Sequence, residues 1–149
     1  MTMLQMMLGR GPAGLPPPAP LDFATLRLPT SPNAHLAAPS GTTTERHETT
    51  PVLPVPPDAA WQVLRRLGEG MERVWKLAEW PELRQAQWVA RTRWMNFPDT
   101  VNGQIVELPG GSGLFLYSRS LVGHSDFGVN QARIAEWRRA FDEALATAR

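Results

Sequence analysis

Along residues 130–145 the apolar positions Ile134, Trp137, Phe141 and Leu145 fall on one helical stripe, while Arg133, Glu136, Arg138, Arg139, Asp142 and Glu143 face mostly outward. This pattern predicts a C-terminal helix, with Asn130 as its N-cap and Val129 placed to pack on Ile134. A second helix is predicted from Pro57 and Asp58 to about Gly68 or Gly70, with Asp58 as N-cap and Ala60, Trp61, Leu64 and Leu67 buried. Between the helices the period changes to two. Ala86, Trp88, Ala90, Thr92 and Trp94 alternate with Gln85, Gln87, Arg91 and Arg93, which puts the indoles on a core and the arginines in water. Strands are predicted over 72–80, 84–96, 100–108 and 113–122, after a short one from Thr50 to Val55. The last two join through Pro109, Gly110, Gly111, Ser112 and Gly113, and Asn102-Gly103 is a competing turn. Short links imply antiparallel pairing, so the expected fold is α+β: a sheet of about five strands with two helices on one face, in two layers and without internal repeats.

Composition divides the chain in two. Twelve of its 15 prolines lie in residues 1–57, all six tryptophans lie at or after Trp61, and only six of the charged residues precede Asp58. Residues 1–47 accordingly read as an extended arm and residues 48–149 as the compact domain. Pro16, Pro17, Pro18 and Pro20 forbid a helix interior or a central strand and favour polyproline II. The tip of the arm carries Met1, Met3, Leu4, Met6, Met7 and Leu8, too short a run to cross a bilayer and without a basic stretch ahead of it. Such a tip suits an adaptable plug for an apolar groove or a membrane interface.

The net charge of +1, with bases scattered among acids, disfavours nucleic acid as a partner. The absence of cysteine removes disulfides, thiolate nucleophiles and cysteine metal sites. His35, His47 and His124 show no ligand spacing, so neither a metal nor another cofactor is expected. His124, Ser125 and Asp126 are consecutive and cannot form a relay, which is built in space. The glycines at 110, 111 and 113 lack the Lys-Ser/Thr ending of a phosphate loop.

The run Ser118 to Ile134 (SRSLVGHSDFGVNQARI), with Phe97-Pro98-Asp99 and the LPTSPN segment at 28–33, resembles the domain-of-unknown-function 1499 family over about residues 28–147. In that family the SPN element is usually followed by cysteine. Here Ala34 stands in its place, so any role for that thiol is excluded. Members occur in bacteria and photosynthetic organelles, often with a membrane or lipid anchor, and no enzymatic activity is established. The resemblance implies a fold and no reaction.

Within the signature, alternation puts Ser118 and Ser120 on one face and Arg119 on the other, beside Tyr117 and Leu121. Arg119 needs an acceptor, and Asp99 or Asp126 could tie it into a strand-to-helix corner capped by Asn130. Alternatively Arg119 and the helix amides receive an anion, although Asp126 would repel it. Trp61, Trp88, Trp94 and Trp137 fit core positions, whereas Trp80 before Pro81 is placed to anchor a partner.

The resulting expectation is a non-enzymatic accessory subunit, cytoplasmic and peripheral at the inner membrane surface. It would dock on a larger, membrane-bound complex through the arm, with Met3, Leu4, Met6, Met7, Leu8, Pro16, Pro17, Pro18 and Trp80 as contacts. The alternative is a carrier of a lipid or anionic ligand, with a pocket between sheet and helices lined by Trp88, Trp94, Tyr117 and Arg119. An enzyme would have to work through Arg119, Asp99 and Asp126.

Overall fold

The computed structural model describes residues 2–148; Met1, read into the apolar tip, and Arg149 lie outside them. Helix α1 (Met3–Leu8) opens the chain. It is followed by β1 (Ala34–Pro39), β2 (Glu48–Thr50), α2 (Pro57–Leu64), β3 (Val74–Trp80), a 3-10 turn (Pro81–Leu83), β4 (Gln85–Arg91), β5 (Pro98–Leu108), β6 (Gly111–Ser120) and α3 (Val129–Ala148). The strands form one sheet of order β2-β1-β6-β5-β4-β3, parallel only between β1 and β2. The fold is α+β as expected, with six strands instead of about five and with a third helix at the N-terminus. β3 carries a register shift between Lys76 and Ala78.

One face of the sheet packs against α2 and α3. Trp88, Val101, Ile105, Leu114 and Leu116 meet Trp61 and Leu64 of α2 and Ile134, Trp137, Phe141 and Leu145 of α3. Trp88 and Trp137 cross edge to face with centroids 5.1 Å apart, an arrangement worth about 1 kcal/mol beyond the buried area. The Asn102-Gly103 turn does not form: Gly103 pairs with Ala86 and Leu116 inside the sheet, where a Cβ would lie 2.9 Å from the Leu64 side chain. The helix ends differ from the expected caps. Pro56 precedes α2, and Asp58 lies in the first turn, paired with Arg84. Asn130 lies within α3, and Asp126 accepts from the Gly128 and Asn130 amides in its place.

The opposite face also lies away from water. Phe23, 2% exposed, stacks on Phe115 at 4.8 Å and packs with Leu36, Ala38 and Tyr117. The segment from Gly9 to Ser31 therefore covers the sheet as a strap. β1, at residues read as arm, lies inside the sheet between β2 and β6, so packing does not change at residue 48. Gln85 and Arg91, whose alternation put them outside, are 0% and 3% exposed. The alternation holds, but the polar face meets the strap instead of solvent.

Two polar anchors hold the strap. The Gln85 amide accepts from the Leu21 N–H at 2.8 Å and donates to the Leu21 carbonyl at 2.9 Å, satisfying both groups of one peptide residue. The Arg91 guanidinium donates to the carbonyls of Met6, Gly11, Ala13 and Asn96 at 2.8–3.1 Å. Gly9 fits only as glycine, because a Cβ would lie 2.8 Å from this guanidinium and 2.4 Å from the Ala13 carbonyl oxygen. Asn96 adds donations to the carbonyls of Met7 and Gly9. Asn96 itself has φ 54, which ends β4 early and turns 92–96 into a loop. Trp94 thereby leaves the predicted strand and is 89% exposed.

Truncating Arg91 to alanine removes four charge-assisted donations to main-chain carbonyls and should cost about 3 kcal/mol. Hydrogen exchange should accelerate across residues 6–13 while α3 keeps its protection, and the exposed Arg10→Ala should change neither. The β2 edge is acid-sensitive. His47 Nδ1 accepts from the Leu36 N–H, and burial followed by the nearby His35 lowers its pKa. At Glu48 burial pushes the pKa up, but hydrogen bonds from His35 and Arg138 outweigh it and the net shift is downward. A lowered folded pKa at either group means stability present at neutral pH and lost as pH falls. Melting temperature should drop between pH 7 and pH 5, and His47→Gln, which can still accept from Leu36, should flatten that acid limb.

Candidate functional site

The signature residues divide between the two faces of the sheet. On the helix side, Arg133 Nη1 donates to Asp99 Oδ2 at 2.7 Å, to Asn130 Oδ1 at 3.0 Å and to Ser118 Oγ at 3.2 Å. Asn130 Nδ2 donates to the Asn33 carbonyl, to Ser120 Oγ and to Asp126 Oδ2. Asn33 in turn donates to the Gly123 carbonyl, and Asp126 N–H donates to the Pro32 carbonyl. These bonds lock the 28–33 segment, the 121–128 loop and the start of α3 into one corner. Asp99, Ser118 and Asn130 are buried, and their polar groups are taken up within it. Burial raises the pKa of Asp99, opposed by Arg133.

The expected pairing of Arg119 with Asp99 or Asp126 does not form. The cation on this corner is Arg133, a residue read as facing outward, and its signal was its position one turn into α3 beside Asn130. Arg119 is exposed on the strap side, next to the buried Tyr117 hydroxyl. His124 contacts Ser31, and Ser125 Oγ accepts from the Phe127 N–H, so these neighbours form no relay. No group of three or more His, Asp or Glu that could hold a metal occurs among the described residues.

The pocket expected between sheet and helices is filled by the packed core. Trp88 belongs to that core, Tyr117 and Arg119 to the other face and Trp94 to a loop, so the four cannot line one cavity. A cavity of about 310 Å³ lies instead between the sheet and the strap, bordered by Leu15, Pro16, Pro17, Tyr117 and Arg119 among others.

The end of the molecule where β4 gives way to β5 and β6 to α3 has a different character. Trp94 and Met95 on one loop, Phe127 on the other and Val129 at the start of α3 border a hollow of about 420 Å³. Asn96 holds the C-terminal end of α1 beside it, and α1 presents Met3, Leu4 and Leu8 outward. Phe127 is 95% exposed. Of the other expected contacts, Met6 and Met7 are half-buried, Pro16, Pro17 and Pro18 are exposed, the first two of them also bordering the strap cavity, and Trp80 is half-buried at the end of β3. Trp94, read from its period as a core and pocket indole, is instead exposed on a loop, and Met95 and Phe127 carried no periodic signal that would single them out.

The chain belongs to the family described as protein of unknown function, DUF1499, whose model matches residues 26–141. No curated protein matches it in sequence. Among solved structures it is similar to protein MLL2253 of Mesorhizobium loti, with TM-score 0.50, 11% identity and coverage of 77% of this chain and 95% of that one. It is also similar to protein CV1439 of Chromobacterium violaceum, with TM-score 0.50, 10% identity and coverage of 78% and 96%. These likenesses concern the fold alone.

Because burial at Asp99 outweighs Arg133, its folded pKa lies above the unfolded value, so its contribution is present at low pH and lost as pH rises. The stability of the native chain relative to Asp99→Asn should therefore fall between pH 4 and pH 7. Denaturant titrations of both proteins at the two pH values measure it, and a rise would mean that Arg133 dominates.

Proposed function

For this member of the DUF1499 family, we propose a non-enzymatic accessory subunit that docks on a larger, membrane-bound protein complex from the cytoplasmic side. One observation carries the reading. Of the large apolar side chains exposed among the described residues, Trp94, Met95, Phe127 and Val129 border one hollow, and Asn96 ties the end of α1, whose Met3, Leu4 and Leu8 are also exposed, to the loop that carries Trp94 and Met95. Aromatic residues and methionine are the types enriched where proteins meet, and such an exposed apolar cluster suits an interaction surface. The strap differs from a free arm, since its backbone is held on its own sheet; the docking element is its tip together with the loops. The corner at Asp99, Ser118 and Asn130 supports a structural role because its groups are committed to one another, with no nucleophile beside a free base. No helix among the described residues is long and apolar enough to cross a membrane.

Removing residues 1–47 would also remove β1, so substitutions give the cleaner test. Trp94→Ala with Phe127→Ala should leave the melting temperature almost unchanged, because both side chains are exposed. The proteins that co-isolate with the tagged native chain under mild detergent should be lost from the double variant. Undiminished co-isolation, read by mass spectrometry, would overturn the proposal.

A further inference from the structure

The strap crosses the sheet between its two anchors, Arg91 at Gly11 and Ala13 and Gln85 at Leu21. Pro16, Pro17 and Pro18 occupy the span between them. Proline has no N–H, so this stretch bridges a polar sheet face without donors that demand a partner there, and its fixed φ keeps it extended. The space left beneath is the 310 Å³ cavity, at the small end of the range for ligand sites. Its floor is not an open set of polar groups. Gln87 donates to Asn102, and Asn102 donates to Gln85, so the amides are turned toward each other and toward the strap. Leu15, Leu21, Leu26 and Leu77 supply apolar wall.

The charge on that wall is one-sided. Arg119 and Arg27 border the cavity and no carboxylate does. Arg119 has no ion-pair partner among the described residues, whereas Asp99, the acid first expected for it, is engaged by Arg133 on the far side of the sheet. Arg27 has only a loose contact with Glu45, 3.4 Å away, between exposed side chains. Tyr117, 3% exposed, presents its hydroxyl beside Arg119, and burial raises its pKa so that it stays a proton donor.

We infer that the strap cavity binds a small amphipathic carboxylate, its headgroup on Arg119 and the Tyr117 hydroxyl and its hydrocarbon tail under the prolines. The planar fork of a guanidinium matches a carboxylate, and the phenol adds a third donor to the same group. The volume limits the tail to on the order of ten carbons. This site lies on the face of the sheet covered by the strap and does not depend on the docking end.

Calorimetric titration of the full-length, delipidated chain with sodium decanoate, below its micellar concentration, tests the inference. Saturable one-to-one binding is expected, weakened tenfold or more by Arg119→Gln and several-fold by Tyr117→Phe. Arg119→Lys should retain part of the affinity, and Arg93→Gln, an exposed arginine outside the cavity lining, should bind as the native chain does. Decanol, with the same tail and no charge, should bind at least tenfold more weakly than decanoate. Absence of binding, equal binding by Arg119→Gln, or loss of binding in the Trp94→Ala, Phe127→Ala protein would each overturn it. The last result would place the fatty acid on the exposed apolar end.

Discussion

A buried guanidinium that meets no carboxylate governs how this chain is put together. Arg91 cannot give up its charge, so burying it requires acceptors on every side. The acceptors come from the main chain: Met6, Gly11 and Ala13 from the N-terminal segment and Asn96 from the loop that follows β4. These carbonyls converge because the last turn of α1 leaves its own unpaired and the backbone after it turns back on itself, an approach that the glycine at position 9 permits. Arg91 thereby fixes where α1 sits, where the strap begins and where Trp94 and Met95 are displayed. Gln85 repeats the principle further along β4, exchanging two hydrogen bonds with a single residue of the strap.

The sheet in consequence has two faces of different chemistry. The helix side is closed by indole, phenyl and leucine packing, and it leaves little room for anything but itself. The strap side is held by directed polar contacts with apolar patches between them, Phe23 on Phe115 being the largest. Directed contacts fix the ends of a segment and leave its middle free to stand off, which is how a cavity survives beneath three consecutive prolines.

Much of the architecture could be read from residue order. The stripe Ile134, Trp137, Phe141 and Leu145 defined α3 because one face of a helix must be buried, and the alternation through Gln85 to Ala90 defined β4. The split of the signature across the sheet, with Ser118 and Ser120 opposed to Arg119, followed from the strand period alone. What failed was the equation of polar with solvent-facing. Gln85 and Arg91 are polar because they bind backbone, and a sequence does not reveal which distant carbonyls will arrive. β1 was missed for a related reason: its short run His35-Leu36-Ala37-Ala38 sits among prolines and serines, and only pairing with β6 makes it a strand. The early end of β4 turned on a left-handed asparagine at 96, and the corner at Phe127 on another non-glycine residue with positive φ. Neither position carries the glycine that would have announced it.

The two margins of the sheet are both unsuited to accept another strand. β2 offers three residues and then runs into Pro51, which has no amide hydrogen to donate. β3 is broken in register next to Lys76 and ends at Trp80 against Pro81. A ribbon with both borders interrupted in this way resists lateral zippering with copies of itself, which leaves side chains, and not extension of the hydrogen-bonded ladder, as the means of any association.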